Sequence, residues 1–370
     1  MSETISETSQ RDAYARAGVD STAKEEGLSG LLQLINRTFA FRPGVGRPVL
    51  PIGYFANVLD LGRGQGLAIS TDGVGTKLLI AELLGRYDTI GIDCIAMNVN
   101  DLLCVGAEPI ALVDYVAVQI AKPEFLKELA KGLYAGAEEA RIAIPGGEIA
   151  QVREIIRGLN EDDGFDLIGT AVGVVPTDRI VVGQNVEPGD VVIGLASSGI
   201  HSNGLTLARD VLFRQAGYDV QAKVDYLSRT VGEELLVPTR IYVRPALAML
   251  EKLDVKALMN VTSDGLLNLL RIQADVGFVV DFLPDPPPIF ELIQKLGQLP
   301  DEQMYFVFNM GIGFCVVVPE GQASAAVQIA NEHGIDAWIL GRAVSAPKRT
   351  VQILPKRLVG QGSTLRRMTS

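Results

Sequence analysis

No apolar run in this sequence approaches the ~20 residues that a membrane-spanning helix requires. Residues Met1 to Asp12 lack the basic start and apolar centre of a secretory signal and read as a polar tail. Cysteine is scarce: Cys94, Cys104 and Cys315 are an odd set without metal-type spacing, so no disulfide framework is expected. These absences together predict a cytoplasmic protein that binds no membrane. A basic surplus is missing too. The formal net charge is −11, which argues against a nucleic-acid partner because binding to a phosphate backbone relies on basic surface. A small phosphorylated ligand, held by a few local N–H groups and lysines, stays open. Histidine occurs only twice, as His201 and His333. No Gly-x-Ser-x-Gly elbow supports a Ser–His nucleophile. No tandem repeat stands out, and the two Asn-x-Thr sequons, at Asn36 and Asn260, are chance matches in a chain without a secretion signal.

What is present is globular: 48% hydrophobic and 21% charged residues over 370 positions, enough for two cores. Apolar positions at helical spacing (Leu28, Leu31, Leu32, Ile35, Phe39) predict an amphipathic helix over Gly27–Phe41. Strands are expected at Gly66–Thr71, Ile110–Val118 and Asp166–Val175. Helices are expected from Thr76 to Leu84, within Asp88–Cys104, and over Pro123–Ala140, which stops before Pro145-Gly146-Gly147. Pro176-Thr177-Asp178 breaks the pattern, so we place domains at residues 1–176 and 177–370. The second half reads as strands Val191–Leu195, Phe278–Asp281 and Gly313–Val318, with helices Leu205–Arg214, Arg244–Leu253 and Ser324–His333 and a proline-rich loop, Leu283–Pro288. Separate strands and helices favour an α+β fold.

Four turns carry the chemistry. In Ser70-Thr71-Asp72-Gly73-Val74-Gly75-Thr76-Lys77 an acid opens a two-glycine turn that closes on a lysine. Glycines let backbone N–H groups approach a phosphate, Asp72 is suited to Mg²⁺, and Lys77 to the remaining phosphate charge. The order differs from the Walker pattern, and the octapeptide is also compatible with an ordinary hairpin turn. Asp101, in Asn100-Asp101, and Glu148, after Pro145-Gly146-Gly147, also lie beside glycine-bearing turns. Asp72, Asp101 and Glu148 would give Mg²⁺ three hard oxygen ligands, although an Asn-Asp pair commonly just caps a turn. Asp93 is a fourth candidate in a helical context that equally allows a surface role. Finally, Ser197-Ser198-Gly199-Ile200-His201-Ser202-Asn203-Gly204 follows a strand and precedes a helix. Such a turn offers hydroxyls and N–H groups to an anion, or a simple N-cap.

Taken with Tyr14–Asp20, Asp88–Asp93, Ala96–Leu102, Gly106–Pro109, Asp166–Gly173, Gly189-Asp190, Leu236–Val243, Met304-Tyr305, Phe308–Gly313, Ile335–Ala337 and Gly341, these motifs resemble the phosphoribosylformylglycinamidine cyclo-ligase (AIR synthetase) family of purine biosynthesis. The resemblance runs the length of the chain. It departs at Asn260-Val261-Thr262-Ser263-Asp264-Gly265, where the family usually reads His-Ile-Thr-Gly-Gly-Gly. It departs also at Ile149–Arg153 and at the reduced glycine stretch Gly53–Ala56. Asp264 would bring negative charge towards a phosphate-facing turn.

The resemblance implies a two-domain AIR synthetase-like fold, with a β-rich N-terminal domain that dimerises into a barrel and a C-terminal α/β sandwich. It implies ATP and Mg²⁺, a small phosphorylated substrate, and a homodimer whose joined sheets would account for apolar strands such as Ile110–Val118. The implied reaction phosphorylates the substrate's formyl oxygen from ATP, then closes an imidazole ring with loss of phosphate. By similarity, Asp72, Asp101 and Glu148 hold Mg²⁺–ATP; Gly73, Val74, Gly75, Thr76 and Lys77 cradle phosphates; Ser198, Gly199, His201, Ser202 and Asn203 face the substrate. Lys77, His201 and Asp72 would be catalytic, His201 by moving a proton. The runners-up are a thiamine-phosphate kinase-like or selenophosphate synthetase-like phosphotransferase and an inactive nucleotide-binding paralogue.

Overall fold

The computed structural model describes residues 21–346 and 348–368; Tyr14–Asp20 lies outside them. The first half contains α1 (Ser21–Asn36), β1 (Arg47–Pro48), β2 (Asn57–Gly62), β3 (Gln65–Gly73), α2 (Leu78–Leu84), α3 (Ile90–Leu103), β4 (Glu108–Val118), α4 (Pro123–Ala140), β5 (Ala143–Gln151) and β6 (Phe165–Pro176). Its six strands form one sheet in the order β1-β2-β3-β6-β4-β5, antiparallel except for the β4–β5 pair. The second half adds β7 (Val191–Ala196), α5 (Leu205–Arg209), α6 (Val231–Leu235), α7 (Val243–Lys252), β8 (Ala257–Asn260), β9 (Gly277–Val280), α8 (Pro288–Gly297), α9 (Asp301–Val307), β10 (Ile312–Val318), α10 (Ala323–Glu332), β11 (Ala337–Val344), β12 (Val351–Ile353), β13 (Leu358–Gln361) and β14 (Thr364–Arg367). An eight-stranded sheet runs β14-β13-β12-β9-β11-β7-β10-β8, with β9 and β12 its parallel pair. The architecture is α+β, as the separated strands and helices required.

Helix α3 is the keystone. Its small-residue run, Ile90 to Leu103, is buried on nearly every side. It packs on β3, β4 and β6 of the first sheet and against α4 and α7. The approach to α4 is possible because both helices carry glycine at the crossing: a Cβ on Gly91 would sit 2.1 Å from the Leu133 nitrogen. Helix α4 begins with Pro123 at its first turn and stops at Arg141 in the left-handed conformation, so its end precedes the glycine pair.

Two expectations need correction. The Pro145-Gly146-Gly147 segment is not a turn: it lies inside β5, parallel to β4. Gly147 is needed there because a Cβ would fall 1.9 Å from Asp114 Oδ1 on the neighbouring strand. Strand β4 is likewise not buried on both faces within one chain. Its burial alternates, and one side of the sheet, bearing Val113, Tyr115 and Val174, is exposed. Helix α1 forms as its spacing predicts, yet Leu28, Leu31, Leu34 and Ile35 on it are exposed.

Candidate active site

The site is built on the seam between the two halves, and the polar residues of α3 hold that seam. Asp93, on the first turn of α3, is fully buried. Its Oδ1 accepts from Lys77 Nζ at 2.8 Å, from the Thr239 N–H and hydroxyl at 2.7 Å each, and from the Ser202 hydroxyl at 3.1 Å. Lys77 also donates to the Val237 carbonyl at 2.5 Å. Two turns further on, Asn100 donates to the Arg240 carbonyl at 2.9 Å and accepts from the Tyr242 N–H at 3.0 Å. Next to it, Asp101 Oδ1 accepts from Asn260 Nδ2 at 2.9 Å. Residues 93, 100 and 101 share a helix face by the 3.6-residue period, which aims all three at the second domain.

Lys77 is therefore an internal cation. It has no exposed surface, its amine is engaged by Asp93 and the Val237 carbonyl, and it presents no charge at the surface to a bound phosphate. This corrects the reading of Lys77 as a phosphate ligand and of Asp93 as a metal ligand or surface acid. Burial pulls the lysine amine below its ordinary value, and the Asp93 carboxylate pulls it back.

Asp72 lies close enough to Asp101 for its charge to bear on that carboxyl. Asp72, at the end of β3, has its carboxyl raised by burial, relieved in part by the Gly73 N–H that donates to Oδ1 at 2.8 Å. Asp101 is pushed up to about 7 by burial and by the charge of Asp72, against the pull of Asn260 and Arg271. Neither carboxylate has an ion-pair partner within 4 Å among the described residues. Glu148 does not join them. Register places Asp72, Gly169, Asp114 and Gly147 in one row across the sheet, whereas Glu148 sits one residue on beside Tyr115, so its side chain takes the opposite face. Among the described residues no group of three His, Cys, Asp or Glu side chains is placed to hold a metal ion. Asp114, which the sequence reading overlooked, stands in the Asp72 row with its carboxyl also raised by burial. Its only signal was its place in an apolar strand.

Within the glycine turn, the Gly73 and Val74 N–H groups are consumed by Asp72 and by the Leu167 carbonyl. Gly75, at φ 72°, has open space where a Cβ would stand, and the Thr76 hydroxyl meets that of Thr206 at 3.1 Å across the seam.

The turn after β7 is knit internally. Ser198 donates its hydroxyl to the Pro238 carbonyl at 2.5 Å, and Asn309 donates to the Gly199 and Ile200 carbonyls. Asn203 accepts from the Ser263 hydroxyl at 3.1 Å, which seats the divergent Asn260–Gly265 segment against this turn. Neither Ser nor Asn caps the following helix; Gly204 occupies that position at φ 83°. Helix α5 runs on directly as a π-helical turn over Asp210–Gln215. His201 is buried, and its Nε2 accepts from the Ser198 N–H at 3.1 Å and the Arg240 N–H at 3.5 Å. Burial, with Lys77 and Arg240 nearby, holds its imidazole down to about 3. A neutral ring whose unprotonated nitrogen accepts from two donors takes up no second proton near neutrality. The geometry makes His201 a positioning residue and corrects its reading as a proton carrier.

Residues 53–175 match the AIR synthase related protein N-terminal domain, and 187–354 match the AIR synthase related protein C-terminal domain. The chain is 48% identical over 335 residues to a phosphoribosylformylglycinamidine cyclo-ligase of Pyrococcus furiosus, covering 90% of this chain and 96% of that one. It is 44% identical over 350 residues to the same-named protein of Methanocaldococcus jannaschii, covering 94% and 95%. Among solved structures, thiamine-monophosphate kinase from Stenotrophomonas maltophilia superposes with a TM-score of 0.57 at 20% identity, over 86% of this chain and 94% of that one. T. maritima PurL complexed with ATP gives 0.53 at 16% identity, over 81% and 44%.

Proposed function

The chain belongs to the phosphoribosylformylglycinamidine cyclo-ligase family, enzymes of purine biosynthesis, and from that membership we propose how its residues divide the work of closing an imidazole ring. The substrate is formylglycinamidine ribonucleotide. Its formyl oxygen takes the γ-phosphoryl group of ATP as ADP leaves. The ring nitrogen then bonds to the same carbon, and phosphate departs carrying that oxygen. Phosphoryl transfer asks a protein chiefly for position and charge stabilisation.

The Asp72–Asp101 pair carries this reading. Two buried hard-oxygen donors, the Asp72 charge raising Asp101 and no cation paired to either, suit a divalent ion that takes one or two carboxylates and completes its shell with phosphate oxygens and water. Bound Mg²⁺ would supply neutralisation of phosphate charge. Gly75 and Thr76 lie beside these acids and would meet the phosphates. Asn260 orients Asp101 from the second domain. Ser198, Gly199, Ser202 and Asn203 would shape the substrate side, held by His201 and Asn309. Lys77 keeps the glycine turn fixed to Asp93.

The kinase-like alternative has only fold-level likeness behind it, at 20% identity, against 44–48% to cyclo-ligases. A homodimer follows from the open sheet face: Val113, Tyr115 and Val174 expose apolar surface that a second sheet would bury, with Glu148 at that interface. A cytoplasmic setting fits this chemistry. The test is ADP release by the purified protein with formylglycinamidine ribonucleotide, beside an Asp72→Ala variant. Substrate-dependent ADP release that the substitution abolishes supports the assignment; release that ignores either refutes it.

A further inference from the structure

A cavity of about 570 Å³ opens behind the turn after β7, with Ile92 and Glu139 on one wall and Ser198, Arg240, Arg244 and His333 on the others. Neither Arg240 nor Arg244 has a carboxylate within ion-pair distance among the described residues, and the Arg240 Nε is buried without a hydrogen-bond partner. Glu139 and Glu332 also line the cavity; burial raises the Glu139 carboxyl against the pull of both arginines, and neither acid makes an ion pair with Arg240 or Arg244. Two guanidiniums without an ion-pair partner at a cavity open to solvent are matched to a planar or tetrahedral oxyanion, because arginine's donors form a rigid fork. The volume admits a whole mononucleotide-sized ligand and not only its anion.

The cavity also communicates with the reacting groups. The Arg240 N–H donates to His201 Nε2, and its carbonyl accepts from Asn100, the neighbour of Asp101. Ser198 belongs both to the cavity wall and to the turn.

We propose that this cavity is the subsite for the substrate's phosphate monoester, gripped by the side chains of Arg240 and Arg244. The proposal rests on the cyclo-ligase reading above. It separates two tasks: the arginines bind the group that does not react, and the Asp72–Asp101 pair serves the phosphoryl group that does. Binding at a remote, non-reacting group positions the formyl oxygen at the transferred phosphoryl.

Steady-state kinetics on the full chain test this with Arg240→Gln and Arg244→Gln, using formylglycinamidine ribonucleotide and its dephosphorylated riboside. Each variant is expected to raise the ribonucleotide KM at least tenfold, with the riboside KM and the Mg²⁺–ATP KM unchanged. Inorganic phosphate is expected to compete with the ribonucleotide in the wild type and to lose potency at least tenfold in the variants. An unchanged ribonucleotide KM overturns the subsite. So does an equal rise for the riboside, which would mark a merely structural role, or phosphate inhibition that is not competitive, which would make free phosphate the cavity's ligand. A wild type that turns over neither compound overturns the cyclo-ligase reading itself and the subsite with it, whereas turnover with unaffected variants sinks the subsite alone.

Discussion

Replacing Asp93 with alanine strands the buried ammonium of Lys77, and the structure sets the size of the penalty. Lys77 has no exposed surface, so its charge is balanced only by the Asp93 carboxylate 2.8 Å away. Removing one partner of a buried pair costs about 3–5 kcal/mol. The lysine can escape by losing its proton; from an ordinary value of 10.5 this costs about 5 kcal/mol at pH 7 and so caps the charge contribution. The Thr239 N–H loses its acceptor as well, adding about 1–3 kcal/mol. The expected loss is about 4–8 kcal/mol, a large part of the ~5–15 kcal/mol that holds a domain folded. Urea unfolding of Asp93→Ala against wild type measures it.

The sign with pH is diagnostic. Once the carboxylate is gone, the folded lysine binds its proton less tightly than the unfolded one. The unfolded state then holds more protons between the two values, and stability rises with pH. Because burial already lowers Lys77 in the wild type, the deficit should shrink with rising pH only where the variant's lysine has lost its proton and the wild type's has not. Adding Lys77→Met should restore more than half of the loss at pH 7. A deficit below ~1 kcal/mol, a deficit flat with pH, or no recovery in the double variant would refute the reasoning.

Asp101 predicts the opposite slope in the wild type. Its folded value of about 7 exceeds its ordinary 3.8, so the native state binds the extra proton and stability falls as pH rises through that window, by about 4 kcal/mol in all. Asp101→Asn should flatten that slope in chemical-denaturation curves taken from pH 4.5 to 8. His201→Gln should lower kcat while leaving any acidic limb of the kcat/KM profile between pH 5 and 8 in place, since the ring is already neutral there; disappearance of the limb would restore His201 as proton carrier. Tyr115→Asp on the open sheet face should convert the proposed dimer to monomer in sedimentation velocity without altering the far-UV circular dichroism, and an unchanged sedimentation coefficient would exclude that face as the contact.

Much of the fold was readable because period and punctuation agreed. Helix α4 announced itself through Pro123 at its start and an amphipathic stripe, and β3 and β6 through apolar runs flanked by turns. Strands β8 and β12 to β14 were missed because they are three or four residues long, too short for alternation to register. Strand β5 was hidden by its glycines, whose purpose is the close passage of Asp114, a neighbour supplied only by the fold. In the site, Asp72 and Asp101 were visible as acids beside glycine turns. The role of Lys77 was not, because a lysine closing a glycine turn reads the same whether its amine faces a ligand or an aspartate sixteen residues on. Asn260 looked like a lapse from the family pattern; its hydrogen bond to Asp101 shows a residue that still reaches across the seam.

Because Asp93, Asn100 and Asp101 each grip the second domain from a single buried helix, the halves cannot swing apart without rupturing that whole set together. On the proposed function, ligands would enter and leave by rearrangement of surface loops and not by a clamshell motion. Amide exchange along α3 should accordingly be as slow as in either sheet, while the Gly75 and Ser263 loops exchange ahead of it.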